Sequence, residues 1–417
     1  MSAISWRAAP IWGLMLALST GPANAQGPRV VTLDDALALS GVAEQGDAPV
    51  TNPRLVGPRA ETDAAAALVD QARLRPNPEM SFEVENIAGS GAFSGLQSTE
   101  YTLLLGQRVE LGGKRSARID AAEAQAALMS LKSQLTTVEL GQLVRERYIA
   151  AVAAAARYDL ARDVTARNEE LARIARVLVE VGREPPLRAL RADAALAEAR
   201  ARLLEAEAES LSARTALASL WAGPEAPLVP AQFPELVPPA SLMSEVPQSL
   251  RYRVARAEST AAAAEIARQR SLRIPDPTVS AGVRRLEQTS DNAFVVGVSV
   301  PLPFRDRNQG NIAAAGARLR AATARQAVAQ ADYEQSVAAA RARYRGADAR
   351  VETLSQSSLP QAEEALRLVR IGYRNGRFAL IEVLSAAQAR DTIRETLIAA
   401  REQRGLAAAE LIALAAQ

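Results

Sequence analysis

The sequence predicts a mainly α-helical fold carrying β-hairpins and written twice, in which the hairpins complete a membrane barrel only by oligomerising and long helices extend that barrel. Three observations predict it: landmark segments that return roughly 195 residues later, paired period-two runs of strand length, and helical stretches far longer than a globular domain needs.

The duplication rests on landmarks that keep their order. Arg59-Ala60-Glu61-Thr62, followed by alanines, returns as Arg256-Ala257-Glu258-Ser259 with alanines behind it. Pro76-Asn77-Pro78 returns as Pro275-Asp276-Pro277, Arg118-Ile119-Asp120-Ala121-Ala122 as Asn311-Ile312-Ala313-Ala314-Ala315, and Val181-Gly182 as Asn375-Gly376. Alanine-rich helices resemble one another by composition, but two Pro-x-Pro punctuation marks in register are not a product of composition.

The elements follow in order. Arg7, the apolar run from Pro10 to Leu18 and Ala23-Asn24-Ala25 read as a secretory signal over 1–25, since the run is too short to span a bilayer. Thr32-Leu33-Asp34-Asp35 has the pattern of a capping box opening a short helix. A second helix is expected from about Pro58 to Leu74, stopped by the first Pro-x-Pro, which pushes the chain into extended geometry. Met80, Phe82 and Val84 then alternate with Ser81, Glu83 and Glu85, and Tyr101, Leu103 and Leu105 form the apolar face of a returning strand. In the second copy Val279, Ala281 and Val283 alternate with Ser280, Gly282 and Arg284, and Phe294, Val296, Val298 and Val300 with Val295, Gly297 and Ser299. Each run has the length of a tilted barrel strand. The loops Ala88 to Ser98 and Arg285 to Ala293 are expected on the cell exterior, at the hairpin ends away from the helices.

Four strands leave open edges whose unpaired backbone is costly in lipid, so the chain must oligomerise, and a trimer gives twelve strands. Helical runs of about Gly113 to Val181 and Gly310 to Tyr373 reach roughly 100 Å at 1.5 Å per residue. Each turns at a glycine into a shorter helix, about Leu187 to Leu220 and Leu380 to Ala415, and the proline-dense stretch Gly223 to Pro247 reads as a belt-like connector. The expected organisation is a leader at 1–25, a first repeat at 26–222 with its hairpin at 79–110 and helices at 113–220, the connector at 223–247, and a second repeat at 248–417 with its hairpin at 277–303 and helices at 310–415.

Composition narrows the chemistry. Apolar residues make up 48% of the 417, but only 4% are aromatic, and runs such as Ala64 to Ala67 supply much of the remainder, as suits closely approaching helices. With 49 basic and 47 acidic residues the charges nearly cancel, which leaves no nucleic-acid footprint. The chain contains neither Cys nor His. That excludes disulfides, thiol or histidine catalysis, thiolate or imidazole metal ligation and lipidation through Cys. No catalytic, cofactor-binding or metal-ligating residues are identified, and no enzyme activity is expected.

Helix, hairpin, long helix, turn and helix, twice over, resemble the TolC family of outer-membrane efflux channels across essentially the whole mature chain. Asn77-Pro78-Glu79, Phe82-Glu83-Val84-Glu85-Asn86 and Gln107-Arg108-Val109-Glu110-Leu111-Gly112-Gly113-Lys114-Arg115 resemble more closely its CzcC-like branch, which serves heavy-metal pumps. The resemblance implies a homotrimer in outer-membrane lipid, its twelve-stranded β-barrel continued by a periplasmic α-helical barrel. It implies as partners a periplasmic adaptor (membrane fusion) protein and an inner-membrane transporter of the resistance-nodulation-division (RND) type. The cargo implied is a heavy-metal cation of the cobalt, zinc and cadmium or the copper and silver kind. The same duct for drugs or organic solutes, and a structural coiled-coil protein of the periplasm or cell surface, stand as alternatives.

Two candidate regions follow. At the strand-to-helix junction, Gly112 and Gly113 supply a permissive backbone, and Lys114 and Arg115 lie either near the membrane surface or solvated in an ordinary turn. At the periplasmic tip, Gly182 and Gly376 end the long helices, and the resemblance places a constriction there in which Tyr373 and Glu382 match family positions. Phe378, Ser385 and Arg188 depart from the pattern. Arg188 and Glu382 occupy equivalent places in the two helical hairpins with opposite charge, either as a pair between neighbouring hairpins or as two solvated charges.

Overall fold

The computed structural model describes residues 30–42, 52–223, 225–240 and 249–416, so the leader segment at 1–25 lies outside the described residues. The first copy opens with α1 (Leu33–Leu39). Its start carries the expected capping box: the Asp35 amide donates to Thr32 Oγ1 at 3.2 Å and the Thr32 amide to Asp35 Oδ2 at 3.0 Å, which satisfies two amides a helix start leaves orphaned. Helix α2 (Pro53–Arg73) begins five residues before the expected Pro58. Asn52 is the cap, taking the Arg54 amide at 3.0 Å, and Pro53 occupies the first turn, where a missing amide hydrogen costs nothing. Pro58 is therefore inside the helix rather than at its start.

Strands β1 (Glu79–Glu85) and β2 (Glu100–Arg108) follow, then α3 (Lys114–Glu180) and α4 (Pro186–Ala218). At 67 residues α3 extends about 100 Å. The second copy repeats the order as α5 (Leu250–Ser271), β3 (Thr278–Leu286), β4 (Asp291–Ser299), α6 (Gln309–Thr353), α7 (Leu359–Arg374) and α8 (Leu380–Ala416). Two expectations change. The second long helix is interrupted by a π turn at Leu354–Ser358, directly before Pro360. Proline has no amide to continue the ladder and its ring displaces a carbonyl of the preceding turn, which the wider π turn accommodates. The second hairpin loop is also only 287–290, because Arg285 and Ala293 pair within the strands.

Among the described residues the four strands form one antiparallel sheet in the order β1-β2-β3-β4, so the two copies join along β2 and β3. The register stacks Met80, Phe82, Leu103, Leu105, Val279, Ala281, Val283, Phe294, Val296 and Val298 on one face. Most of them are exposed, Phe294 to 91%. Phe82 and Tyr101 add a stacked pair with ring centroids 6.3 Å apart. The opposite face carries Glu79, Glu83, Glu85, Glu100 and Asp291 with Arg108 and Arg284. Among the described residues no helix is long and apolar enough to cross a membrane.

The helices pack through small residues, as the alanine content requires: Ala151, Ala153 and Ala154 of α3 and Ala400 and Ala409 of α8 are fully or almost fully buried. The main apolar cluster surrounds the middle of α3, where Val144, Tyr148 and Val152 meet Leu55, Leu217 and Leu220. The proline-rich connector is fastened there. Val229 and Phe233 pack on the cluster and the Val31 amide donates to the Leu228 carbonyl at 2.8 Å.

Candidate functional site

The junction between sheet and helix is a staple between the two copies. Gly112 and Gly113 both adopt left-handed backbone, with φ of 69° and 70°. A β-carbon on Gly112 would collide with the Ile274 side chain, so both the conformation and the space demand glycine. The turn drops Lys114 into a buried position, 8% exposed, where its ammonium meets Asp276 at 2.6 Å and donates to the Ile274 carbonyl. Lys114 is thus buried and paired rather than solvated. Asp276 also accepts from the Leu111 amide at 2.9 Å, which fixes the turn to the second Pro-x-Pro.

Arg115 acts differently. Its Nε and Nη2 donate to the Arg73 carbonyl at 3.0 and 2.8 Å, and Arg118 reaches the carbonyls of Ala72 and Leu74 at 3.0 and 2.9 Å. Two guanidiniums therefore cap the carboxyl end of α2, where carbonyls lack helical partners and the helix dipole favours cations. Arg118 also holds Glu110. Asp276, Glu110 and Arg118 escaped sequence reasoning, although the charged residue inside the second Pro-x-Pro was a signal for the first.

At the tip the two copies end their long helices identically. Gly182 and Gly376 both have φ of 69°. The Arg183 amide reaches back to the Leu178 carbonyl at 2.9 Å and the Arg377 amide to the Gly372 carbonyl at 2.8 Å, the bonding of a Schellman motif. Phe378 packs against Gly372, whose missing side chain makes room for the ring. Tyr373 is half-buried against the cluster of Leu366, Val383 and Ala387. Within the chain Arg188 pairs with Glu184 of its own hairpin at 2.9 Å, whereas Glu382 is exposed. Helix α3 packs against both α4, which bears Arg188, and α8, which bears Glu382. The structure therefore brings Tyr373 and Phe378 into one hairpin and does not join Arg188 to Glu382 within the chain.

A seam of ion pairs links α3 of the first copy to α8 of the second: Arg157 with Glu402, Asp163 with Arg394 at 3.3 Å, and Arg167 with Asp391. Asp391 also takes Arg390 at 2.7 Å. Burial first, and then the neighbouring Arg390, Arg167 and Arg374, push the Arg370 guanidinium below its ordinary pKa, so this end of the bundle is rich in positive charge.

The family model described as outer membrane efflux protein matches residues 46–223 and 248–417. Over 378 residues the chain is 32% identical to the cobalt-zinc-cadmium resistance protein CzcC of Cupriavidus metallidurans, covering 88% of this chain and 84% of that protein. Over 331 residues it is 32% identical to the nickel-cobalt-cadmium resistance protein NccC of Alcaligenes xylosoxydans xylosoxydans, covering 76% and 71%. Its fold is similar to that of the outer membrane protein VceC from Vibrio cholerae, with a TM-score of 0.73 at 20% identity over 91% of this chain and 96% of that one.

Proposed function

Because the chain belongs to the outer membrane efflux protein family, we propose that it is the outer-membrane duct of a three-part efflux pump and passes heavy-metal cations. Three copies close a twelve-stranded barrel in the outer membrane, continued by a helical tunnel across the periplasm that meets an adaptor and an RND transporter. The observation that carries the reading is the two-sided sheet. One face is apolar and exposed, the other carries five carboxylates against two arginines, and strands β1 and β4 are edges awaiting partners. An open-edged sheet of this kind is stable in lipid once neighbouring copies satisfy its edges. Its polar face then lines a lumen whose negative charge, repeated threefold, favours cations over anions. The metal resistance in the names of CzcC and NccC agrees with that sign.

The organisation proposed is a leader at 1–25, two repeats at 26–222 and 248–417, and the connector at 223–247 as a belt around the tunnel. Cells lacking this chain are expected to accumulate several-fold more zinc, cobalt or cadmium than cells carrying it, read by elemental analysis after metal challenge. Unchanged metal with accumulation of an organic dye would assign the duct to organic solutes instead.

The gate is placed at the helical tip, with the Gly182 and Gly376 turns as its end, Tyr373 and Phe378 as packing, and Arg188 and Glu382 as charges that meet between neighbouring chains in the closed state. An exposed pair of this kind contributes about 0 to 1 kcal/mol, which threefold repetition makes enough to bias opening. Conductance is expected to rise in Arg188→Glu or Glu382→Arg alone and to return towards the wild-type value in the double reversal. Equal conductance in all three variants would remove the pair from gating.

A further inference from the structure

The end of the sheet nearest the helices carries a second feature that the duct does not use. The apolar ridge of β4 continues past the strand through Val300 and Leu302 to Phe304, with Leu302 67% and Phe304 78% exposed. The ridge then meets Arg305 and Arg307. Two adjoining clefts, of 780 and 490 Å³, share Arg273, Ile274, Leu302, Pro303 and Phe304, and the smaller is also lined by Arg270 and Arg307. Their lining groups include six cations and two carboxylates. Both carboxylates are occupied, Asp276 by Lys114 and Asp306 by the Asn308 amide at 2.9 Å. Among the described residues no carboxylate forms an ion pair with Arg270, Arg273, Arg305 or Arg307, and the Arg307 guanidinium donates to the Pro303 carbonyl, at 3.3 Å.

We propose that these clefts hold the phosphate headgroup of an anionic glycerophospholipid, with its acyl chains along the ridge from Val298 to Phe304. The inference rests on the outer-membrane reading, which puts this end of the sheet in the leaflet facing the periplasm. Two properties point to a lipid rather than to a soluble anion. The guanidiniums carry charge complementary to a phosphodiester and form forked hydrogen bonds with it. The exposed apolar residues Val298, Val300, Leu302 and Phe304 lead along the chain into them, so one molecule with a charged head and apolar tails fits both parts. Aromatic and cationic side chains at the level of the headgroups are the residues such an interface selects.

The test uses the full chain purified from membranes and given equal amounts of phosphatidylglycerol and phosphatidylcholine with the same acyl chains, retained lipid being counted by native mass spectrometry. Wild type is expected to retain phosphatidylglycerol over phosphatidylcholine by about fivefold or more, the effect of one or more guanidiniums at a membrane surface. The variant combining Arg270→Gln, Arg273→Gln, Arg305→Gln and Arg307→Gln should bring the ratio to one, while Phe304→Ser should lower retention of both lipids. A wild-type ratio of one, or a fourfold variant that keeps the wild-type ratio, overturns the proposal. So does retention that ignores Phe304→Ser and is displaced by inorganic phosphate, which would assign a soluble anion. A chain that never fractionates with the outer membrane defeats the duct reading, whereas a conducting, membrane-inserted protein without lipid preference defeats this inference alone.

Discussion

Asp276→Ala is expected to destabilise the folded chain by about 3 to 5 kcal/mol, because it leaves the buried Lys114 ammonium without its counter-charge. The substitution also removes the acceptor of the Leu111 amide, so the turn that launches α3 loses its tie to the second copy. Asp276→Asn keeps an acceptor but not the charge and should fall between. The double change Lys114→Met with Asp276→Leu should recover part of the loss, since it leaves no buried charge unpaired and costs only the side-chain partners of the Leu111 amide and the Ile274 carbonyl. The check is the temperature at which far-ultraviolet helical signal is lost at one fixed scan rate, because a large membrane oligomer unfolds irreversibly and rates must be compared alike. If the two single variants melt with wild type, the pair is not the staple described.

The second large effect separates the faces of the sheet by one residue. Val296 lies near the middle of β4 on the apolar face and is 76% exposed, while Val295 points to the opposite face with Gly282 as its cross-strand partner. Val296→Arg is expected to cost about 2 to 4 kcal/mol, the cost of an arginine on a lipid-facing barrel position near the bilayer midplane. Val295→Arg places the same charge on the face of the carboxylates, which the proposed barrel turns to its aqueous lumen, and should be tolerated. Recovery of each variant in the outer-membrane fraction reads the difference. Equal recovery would mean that the apolar face does not meet lipid.

How much of this was legible in the sequence depended on the range of the interaction. The strands were readable because a period of two is a local property, and Met80, Phe82 and Val84 declare their face without reference to any partner. The tip turns were readable because glycine is the residue that enters left-handed backbone without strain, and Gly182 and Gly376 stand at matching places in the two copies. Helix starts were less so. Pro53 and Pro58 both suit a first turn by type, and only the Asn52 cap chooses between them; its amide nitrogen reaches the Ser40 and Leu220 carbonyls at 2.8 and 2.9 Å.

The π turn has Pro360 as its local signal, and that signal is weak because Leu354-Ser355-Gln356-Ser357-Ser358 contains no turn-forming glycine and the helix formers Gln361, Ala362, Glu363 and Glu364 follow it. The staple and the seam were unreadable for a different reason. Charges recur every few residues along α3 and α8, so nothing in the sequence selects Glu402 for Arg157 or Asp391 for Arg167 until the helices are laid side by side. The same limit applies to Arg188, whose partner within the chain is its own neighbour Glu184 and not the distant residue its repeat position suggested.

A cation-passing duct built from several copies of this chain must carry current through the purified oligomer in a planar bilayer under a salt gradient. Trimers are expected to give discrete conductance steps, larger in the tip variants, with a reversal potential displaced towards that of the cation. A membrane-inserted trimer that passes no current in any variant, or one whose reversal potential lies on the anion side, would contradict it.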